Sequence, residues 1–155
     1  MQVKITPMTI DDLDDVLAIE KTSFIFPWSD HSFYGEIKEN KNADYVVARL
    51  RNNNKIVGYG GLWVFFDEGH ITTLAVHPHY RKAGAGSSLL DHLLKKARSR
   101  GARKVFLEVR DSNKVARGLY EKFKFRVIGR RKNYYLLEDA VVMLLKFPKS
   151  VSQPS

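Results

Sequence analysis

The chain has 155 residues, of which 44% are hydrophobic, 12% aromatic and none cysteine. That length fits one domain around a single core, and the lack of cysteine excludes disulfides, thiolate metal sites and cysteine nucleophiles. The net charge of +9 is unevenly placed: residues 1–44 hold four Lys/Arg and nine Asp/Glu, and the remainder holds 22 basic and 8 acidic residues. This asymmetry predicts a basic face able to hold a polyanion, either nucleic acid or a phosphorylated cofactor.

No apolar run approaches a membrane span and no signal-peptide core follows Met1, so a cytoplasmic protein with no membrane partner is expected. No RNA-recognition aromatic motif, KH loop or zinc finger is readable, which leaves a nucleic-acid role resting on charge alone. His77 and His79 flank Pro78 without a third ligand at recognisable spacing, so both read as exposed turn residues and no metal is expected.

In chain order, Val3 and Ile5 mark a first strand ending at Thr6-Pro7, and Thr9 to Asp12 has the form of a capping box before a helix striped by Ile10, Leu13, Val16 and Leu17. Asp11, Asp12, Asp14 and Asp15 read as a solvated face that also complements the helix dipole. An aromatic break, Phe24 to Trp28, precedes a second helix from about Ser29; such a break suits core packing and the lining of a pocket equally well. Asp44 to Leu50, Ile56 to Phe66 and His70 to Val76 are predicted strands, joined by a polar hairpin at Arg51–Lys55 and a turn at Asp67-Glu68-Gly69. Tight turns between successive strands imply an antiparallel meander.

The stretch Ile71 to Ser88 combines a β-branched strand, a proline turn, and a basic glycine-spaced loop, Arg81-Lys82-Ala83-Gly84-Ala85-Gly86, that opens a helix at Ser87. This order builds an anion site, because unpaired amides and the positive end of the helix dipole face the loop. It lacks the terminal Lys-[Ser/Thr] of a nucleotide P-loop and the acidic residue of a dinucleotide fold. A plain glycine turn is the competing reading. Leu89, Leu90, Leu93, Leu94 and Ala97 stripe the helix, which Gly101 ends. Lys104 to Val109 then reads as a strand apolar on both faces, completing a right-handed crossover with a parallel pair. Ser112 or Asn113 caps a helix striped by Val115, Ala116, Leu119, Tyr120 and Phe123. Phe125–Ile128 and Ala140–Leu145 are the last strands, and 148–155 is a polar tail after a single domain over 1–147.

Glu108 is the one carboxylate in Val105 to Val109. Desolvation there would raise its pKa toward that of a general base, whereas pairing with Arg110 would make it structural. Tyr120 lies on an apolar stripe, where packing is its default role.

Arg81-x-x-Gly84-x-Gly86 after Leu74-Ala75-Val76-His77-Pro78 resembles the acyl-CoA pyrophosphate loop of the GNAT superfamily of N-acetyltransferases. Leu107-Glu108-Val109-Arg110-x-Ser112-Asn113, then Gly118-Leu119-Tyr120-Glu121, resembles its ribosomal-protein alanine N-acetyltransferases, the RimI type; Pro27-Trp28-Ser29 and Arg131-x-Asn133-Tyr134-Tyr135 are similar to further signatures of that group. The resemblance implies an α+β fold: a mixed central sheet with an antiparallel N-terminal meander, a splayed parallel pair and C-terminal antiparallel strands, flanked by helices. It implies acetyl-CoA as co-substrate, held by backbone at Leu74, Ala75 and Val76, by Arg81, Lys82, Ala83, Gly84, Ala85, Gly86 and Ser87, and by Asn113. It implies Glu108 as base, Tyr120 as acid toward the leaving thiolate, and Trp28, Tyr134 and Tyr135 along the groove of a protein N-terminus, that of a ribosomal protein.

The sequence departs from the pattern at Lys124, where the group usually has glycine, and at Leu136-Leu137, which is shorter than the usual spacer. Acetylation of other N-termini, lysines or polyamines is the alternative within this class; outside it, the alternative is a non-catalytic CoA- or RNA-binding module.

Overall fold

A computed structural model describes residues 2–23, 30–81, 83–132, 134 and 138–148. The described residues form strands β1 (Val3–Pro7), β2 (Ala43–Leu50), β3 (Ile56–Phe65), β4 (Glu68–Val76), β5 (Lys104–Arg110), β6 (Arg126–Arg131) and β7 (Ala140–Lys146). They also form helices α1 (Leu13–Ser23), α2 (Asp30–Glu39), α3 (Ala85–Ser99) and α4 (Lys114–Lys122). The strands make one mixed sheet in the order β1-β2-β3-β4-β5-β7-β6. Two compact units are present: one from the described residues of Met1–Trp63 and Ile71–Lys96, the other from those of Val64–His70 and Ala97–Ser155.

In the first unit β1 and β2 pair antiparallel with Val3 opposite Leu50, and β2 and β3 with Tyr45 opposite Gly61. The capping box before α1 is present: Thr9 N donates to Asp12 Oδ2 at 2.8 Å and Asp12 N to the Thr9 carbonyl at 3.0 Å. Asp12, however, is not part of a solvated face. It is 5% exposed and its Oδ1 accepts from the Arg49 guanidinium of β2 at 2.5 Å, the pairing that a buried carboxylate requires. Local spacing carries no sign of a partner 37 residues on.

Helix α1 buries Leu13, Val16 and Ile19 in a cluster with Phe33, Tyr45, Val47 and Tyr59. Phe33 meets Tyr59 edge-on at 5.8 Å, a geometry worth about 1 kcal/mol beyond the area it removes from water. Glu20 on α1 is 3% exposed and accepts from the Tyr59 hydroxyl. The apolar stripe of α3, Leu89, Leu90 and Leu93, is fully buried. Its close approach depends on small residues in β3, since a Cβ at Gly60 would stand 2.8 Å from Leu93 Cδ1.

In the second unit the first residues of β4 pair parallel with β5, from Glu68↔Lys104 to His70↔Phe106. The turn before β4 is therefore earlier than Asp67-Glu68-Gly69: Phe66, at φ 54° and 98% exposed, makes it, and Glu68 and Gly69 are already strand. β5 pairs antiparallel with β7, and β7 with β6, whose register shifts between Val127 and Gly129. The shift leaves both Val127 and Ile128 exposed.

Gly101 ends α3 at φ +94°, as its position predicts. Asn113 caps α4 by accepting from Ala116 N at 3.2 Å. Val115 departs from the expected stripe and is exposed; Tyr120 is the buried side chain of that helix. Lys124 has φ 76°, which explains why related sequences use glycine there. Its strained backbone turns the chain so that Phe125 N reaches the Tyr120 carbonyl at 3.1 Å.

Candidate active site

The glycine-spaced loop lies in the first unit. β4 ends at Val76, whose carbonyl accepts from Arg81 Nε at 3.1 Å. Between them His77 accepts from His79 N at 3.1 Å and starts a short 3-10 turn at Pro78, so this histidine pair serves as turn-builder. Gly84 has φ +95° with open space around it, and its carbonyl accepts from Ser88 N at 3.0 Å.

That is the first bond of the α3 ladder, so the amides of Ala85, Gly86 and Ser87 precede it and point out of the helix end. No acid occupies the first turn to compete for that positive end. Ala85 and Gly86 belong to α3 already, which makes the loop shorter than its glycine spacing suggests. Lys82 lies outside the described residues.

The alternation of β4 breaks where the family resemblance puts the acyl group. Thr72 meets the Tyr45 hydroxyl and Thr73 the Tyr59 hydroxyl, although consecutive residues of a regular strand point to opposite sides. Leu74 and Val76 lie on the side of Leu93 and Leu89, beside Gly60 and Gly58.

Glu108 lies in the second unit. β5 alternates, with Val105, Leu107 and Val109 buried and Phe106, Glu108 and Arg110 only half-buried, so it is not apolar on both faces. Glu108 Oε2 lies 2.6 Å from His70 Nε2, and Oε1 lies 3.6 Å from Arg131 Nη2. A carboxylate accepts, so the imidazole donates, as its Nε2–H tautomer or as imidazolium. The His70 ring stacks on Phe106 at 4.7 Å, which fixes its plane.

The expected rise in the Glu108 pKa is overturned. The His70 hydrogen bond, aided by the charges of His70 and Arg131, outweighs burial and holds the carboxyl below the usual range. Glu108 is an ionised acceptor at neutral pH. Sequence reasoning missed His70, since the only signal is a parallel register that puts it opposite Phe106, one step from Glu108 on the same face.

Tyr120 is 7% exposed and meets Phe125 edge-on at 5.8 Å. Arg110 pairs with Glu138, not with Glu108: its Nη1 donates to Glu138 Oε1 at 3.2 Å, and Ser112 donates to the same carboxylate through N and Oγ. This ties the end of β5 to the segment before β7. Tyr134 is half-exposed and lies under the Arg131 guanidinium at 5.6 Å. Trp28 and Tyr135 lie outside the described residues.

The chain matches the acetyltransferase (GNAT) family over residues 13–125. It belongs to that family. It is 41% identical, over 88% of its length and 90% of the relative's, to a Bacillus subtilis protein named for alanine N-acetylation of ribosomal protein bS18. Similarity to the ribosomal protein bS18-alanine N-acetyltransferase of Escherichia coli K12 is 34% over 91% of this chain and 95% of that one. The crystal structure of the ribosomal-protein-S18-alanine N-acetyltransferase from Escherichia coli superposes with a TM-score of 0.86 at 30% identity, covering 99% of each chain.

Acetyltransferases of this family take the acetyl group from acetyl-CoA. The Gly84 loop fits its diphosphate: Arg81 supplies a cation, the helix end supplies amides, and no Cβ at Gly84 fills the space between. Among the described residues no group of three or more His, Cys, Asp or Glu could hold a metal ion. None of the described helices is long and apolar enough to cross a membrane.

Proposed function

We propose that this acetyltransferase modifies the N-terminal alanine of a ribosomal protein, with bS18, the acceptor named for its relatives, as substrate. The observation that carries the reading is a carboxylate at Glu108, kept ionised by His70 in a chain 41% identical to a relative named for this reaction. An α-amine titrates near ~8, so a carboxylate needs to remove only one proton from a group already close to neutral form. A cytoplasmic location, where ribosomal proteins are made, follows from this reading.

Acetyl-CoA is held with its diphosphate on the amides of Gly84, Ala85, Gly86 and Ser87 and beside Arg81, Lys82 and Ala83. The backbone of Leu74, Ala75 and Val76 runs along the pantetheine, with one N–H on the thioester carbonyl. Three ladder pairs join β4 to β5 although both strands run further, which supports a slot of this kind. Asn113 contributes a polar contact through its amide group; its cap uses Oδ1 alone.

Glu108, directly or through a water, accepts a proton from the α-amino nitrogen. That nitrogen attacks the thioester carbonyl carbon, the C–S bond breaks, and the Tyr120 hydroxyl protonates the departing sulfur. No cysteine is present to carry the acetyl group in between, which favours direct transfer. Trp28, Tyr134 and Tyr135 line the groove of the incoming peptide.

A thiol assay tests the reaction. Release of CoA from acetyl-CoA is expected with a free peptide of the bS18 N-terminus and not with the same peptide blocked at its α-amine; equal release with both would remove the acceptor reading. Tyr120→Phe keeps the packing on Phe125 and loses the proton, so kcat is expected to fall about 10- to 100-fold with the melting temperature held. An unchanged kcat would take Tyr120 out of the acid role.

A further inference from the structure

Side chains from four elements of the first unit meet around one carboxylate that the transfer chemistry does not use. Glu36 on α2 accepts through Oε1 from the Tyr45 hydroxyl at 2.8 Å and from Trp63 Nε1 at 2.8 Å, and through Oε2 from Asn40 Nδ2 at 2.7 Å. The Tyr45 hydroxyl in turn lies 3.3 Å from Thr72 Oγ1 on β4. Gly61 makes the contact sterically possible, because a Cβ there would stand 2.3 Å from Tyr45 Cε1 and 2.6 Å from Thr72 Oγ1.

The network has a direction. A carboxylate only accepts, so the single proton of Tyr45 is committed to Glu36. The contact with Thr72 must then use the Thr72 proton, with the Tyr45 oxygen accepting. Burial, followed by the hydrogen bond and charge of Glu36, pushes the Tyr45 pKa well above its ordinary value, so the phenol keeps its proton and the direction does not reverse with pH. What remains on Thr72 Oγ1 is acceptor capacity alone. Thr72 is half-buried, and it stands two residues after His70 in the same strand, on the side of β4 that His70 occupies.

We propose that the chain Glu36–Tyr45–Thr72 fixes the Thr72 hydroxyl oxygen as an acceptor for an N–H of the incoming polypeptide's first residues. Thr72 contacts the peptide, and Glu36 and Tyr45 are positioning residues that act through it. The inference rests on the peptide-acceptor reading of the preceding subsection. It explains why a tyrosine, a tryptophan and an asparagine are all aimed at one glutamate on α2, an arrangement that core packing alone does not require. A polar network of this kind is useful only when every member is satisfied.

The test is steady-state kinetics with the bS18 N-terminal peptide and acetyl-CoA on the whole chain. Thr72→Val is expected to raise the peptide KM about tenfold while the acetyl-CoA KM stays within about twofold. Thr72→Ser, which keeps the hydroxyl, is expected to restore the peptide KM. Tyr45→Phe frees the Thr72 proton and is expected to raise the peptide KM several-fold with the acetyl-CoA KM unchanged. An unchanged peptide KM in Thr72→Val and Tyr45→Phe, or a Thr72→Ser variant as impaired as Thr72→Val, overturns the inference while leaving the acceptor reading in place. Absence of transfer to this peptide by the wild-type chain overturns both together.

Discussion

Glu108→Gln is expected to lower kcat roughly a hundred- to a thousandfold, the range that a positioned general base supplies, while the KM for acetyl-CoA stays near its wild-type value. Glutamine keeps the shape of the side chain and can still accept from His70 Nε2, so the loss isolates basicity from packing.

The pH dependence follows from the sign of the shift. Glu108 is held below the ordinary carboxyl range by His70 first and by Arg131 as well, so it is already ionised throughout the neutral range. The deficit of the variant is therefore expected to be constant between about pH 6 and 7.5, and the rise of wild-type rate across that window follows the acceptor amine. A deficit that shrinks toward zero at the acid end of the window would mean that Glu108 is protonated there. The same sign governs stability: a lowered carboxyl pKa contributes stability that is present above the ordinary carboxyl value and is lost as pH falls through the lowered one. Measured melting temperatures that rise on acidification through that range would contradict the assignment.

Gly84→Val is the second large effect. At φ +95° a β-branched residue is a steric outlier, with a strain of about 1–3 kcal/mol. The open space around Gly84 means that the new side chain meets no protein atom; it projects into the room that a diphosphate would take. The acetyl-CoA KM is expected to rise tenfold or more while the peptide KM moves little. Normal acetyl-CoA affinity in a folded Gly84→Val would remove the loop from cofactor binding.

The elements themselves were largely legible in the sequence because their signals are local. The period changes from the β-branched run before Val76 to the leucine stripe of α3, Gly101 ends that helix at positive φ, and Asn113 caps the next. The chemistry of Glu108 was not legible. Val-Phe-Leu-Glu-Val reads as apolar throughout, yet the environment of its carboxylate is set by His70, 38 residues away, through a strand register that no local pattern encodes. Asp12 was misread for the same reason, since Arg49 reaches it only after β2 has paired. Val115 follows helical spacing but is 67% exposed, because the buried strip of the short α4 is narrower than the spacing suggests. In Lys124 the departure from the family's glycine is a local strain, not a change of fold.

The most direct measurement is tandem mass spectrometry of a bS18 N-terminal peptide with an internal lysine after incubation with the chain and acetyl-CoA. The account predicts the added acetyl group on the N-terminal alanine nitrogen, absent when Glu108→Gln replaces the wild-type chain at equal time. An acetyl group on the lysine with a free α-amine, or equal N-terminal acetylation by both chains, would contradict it.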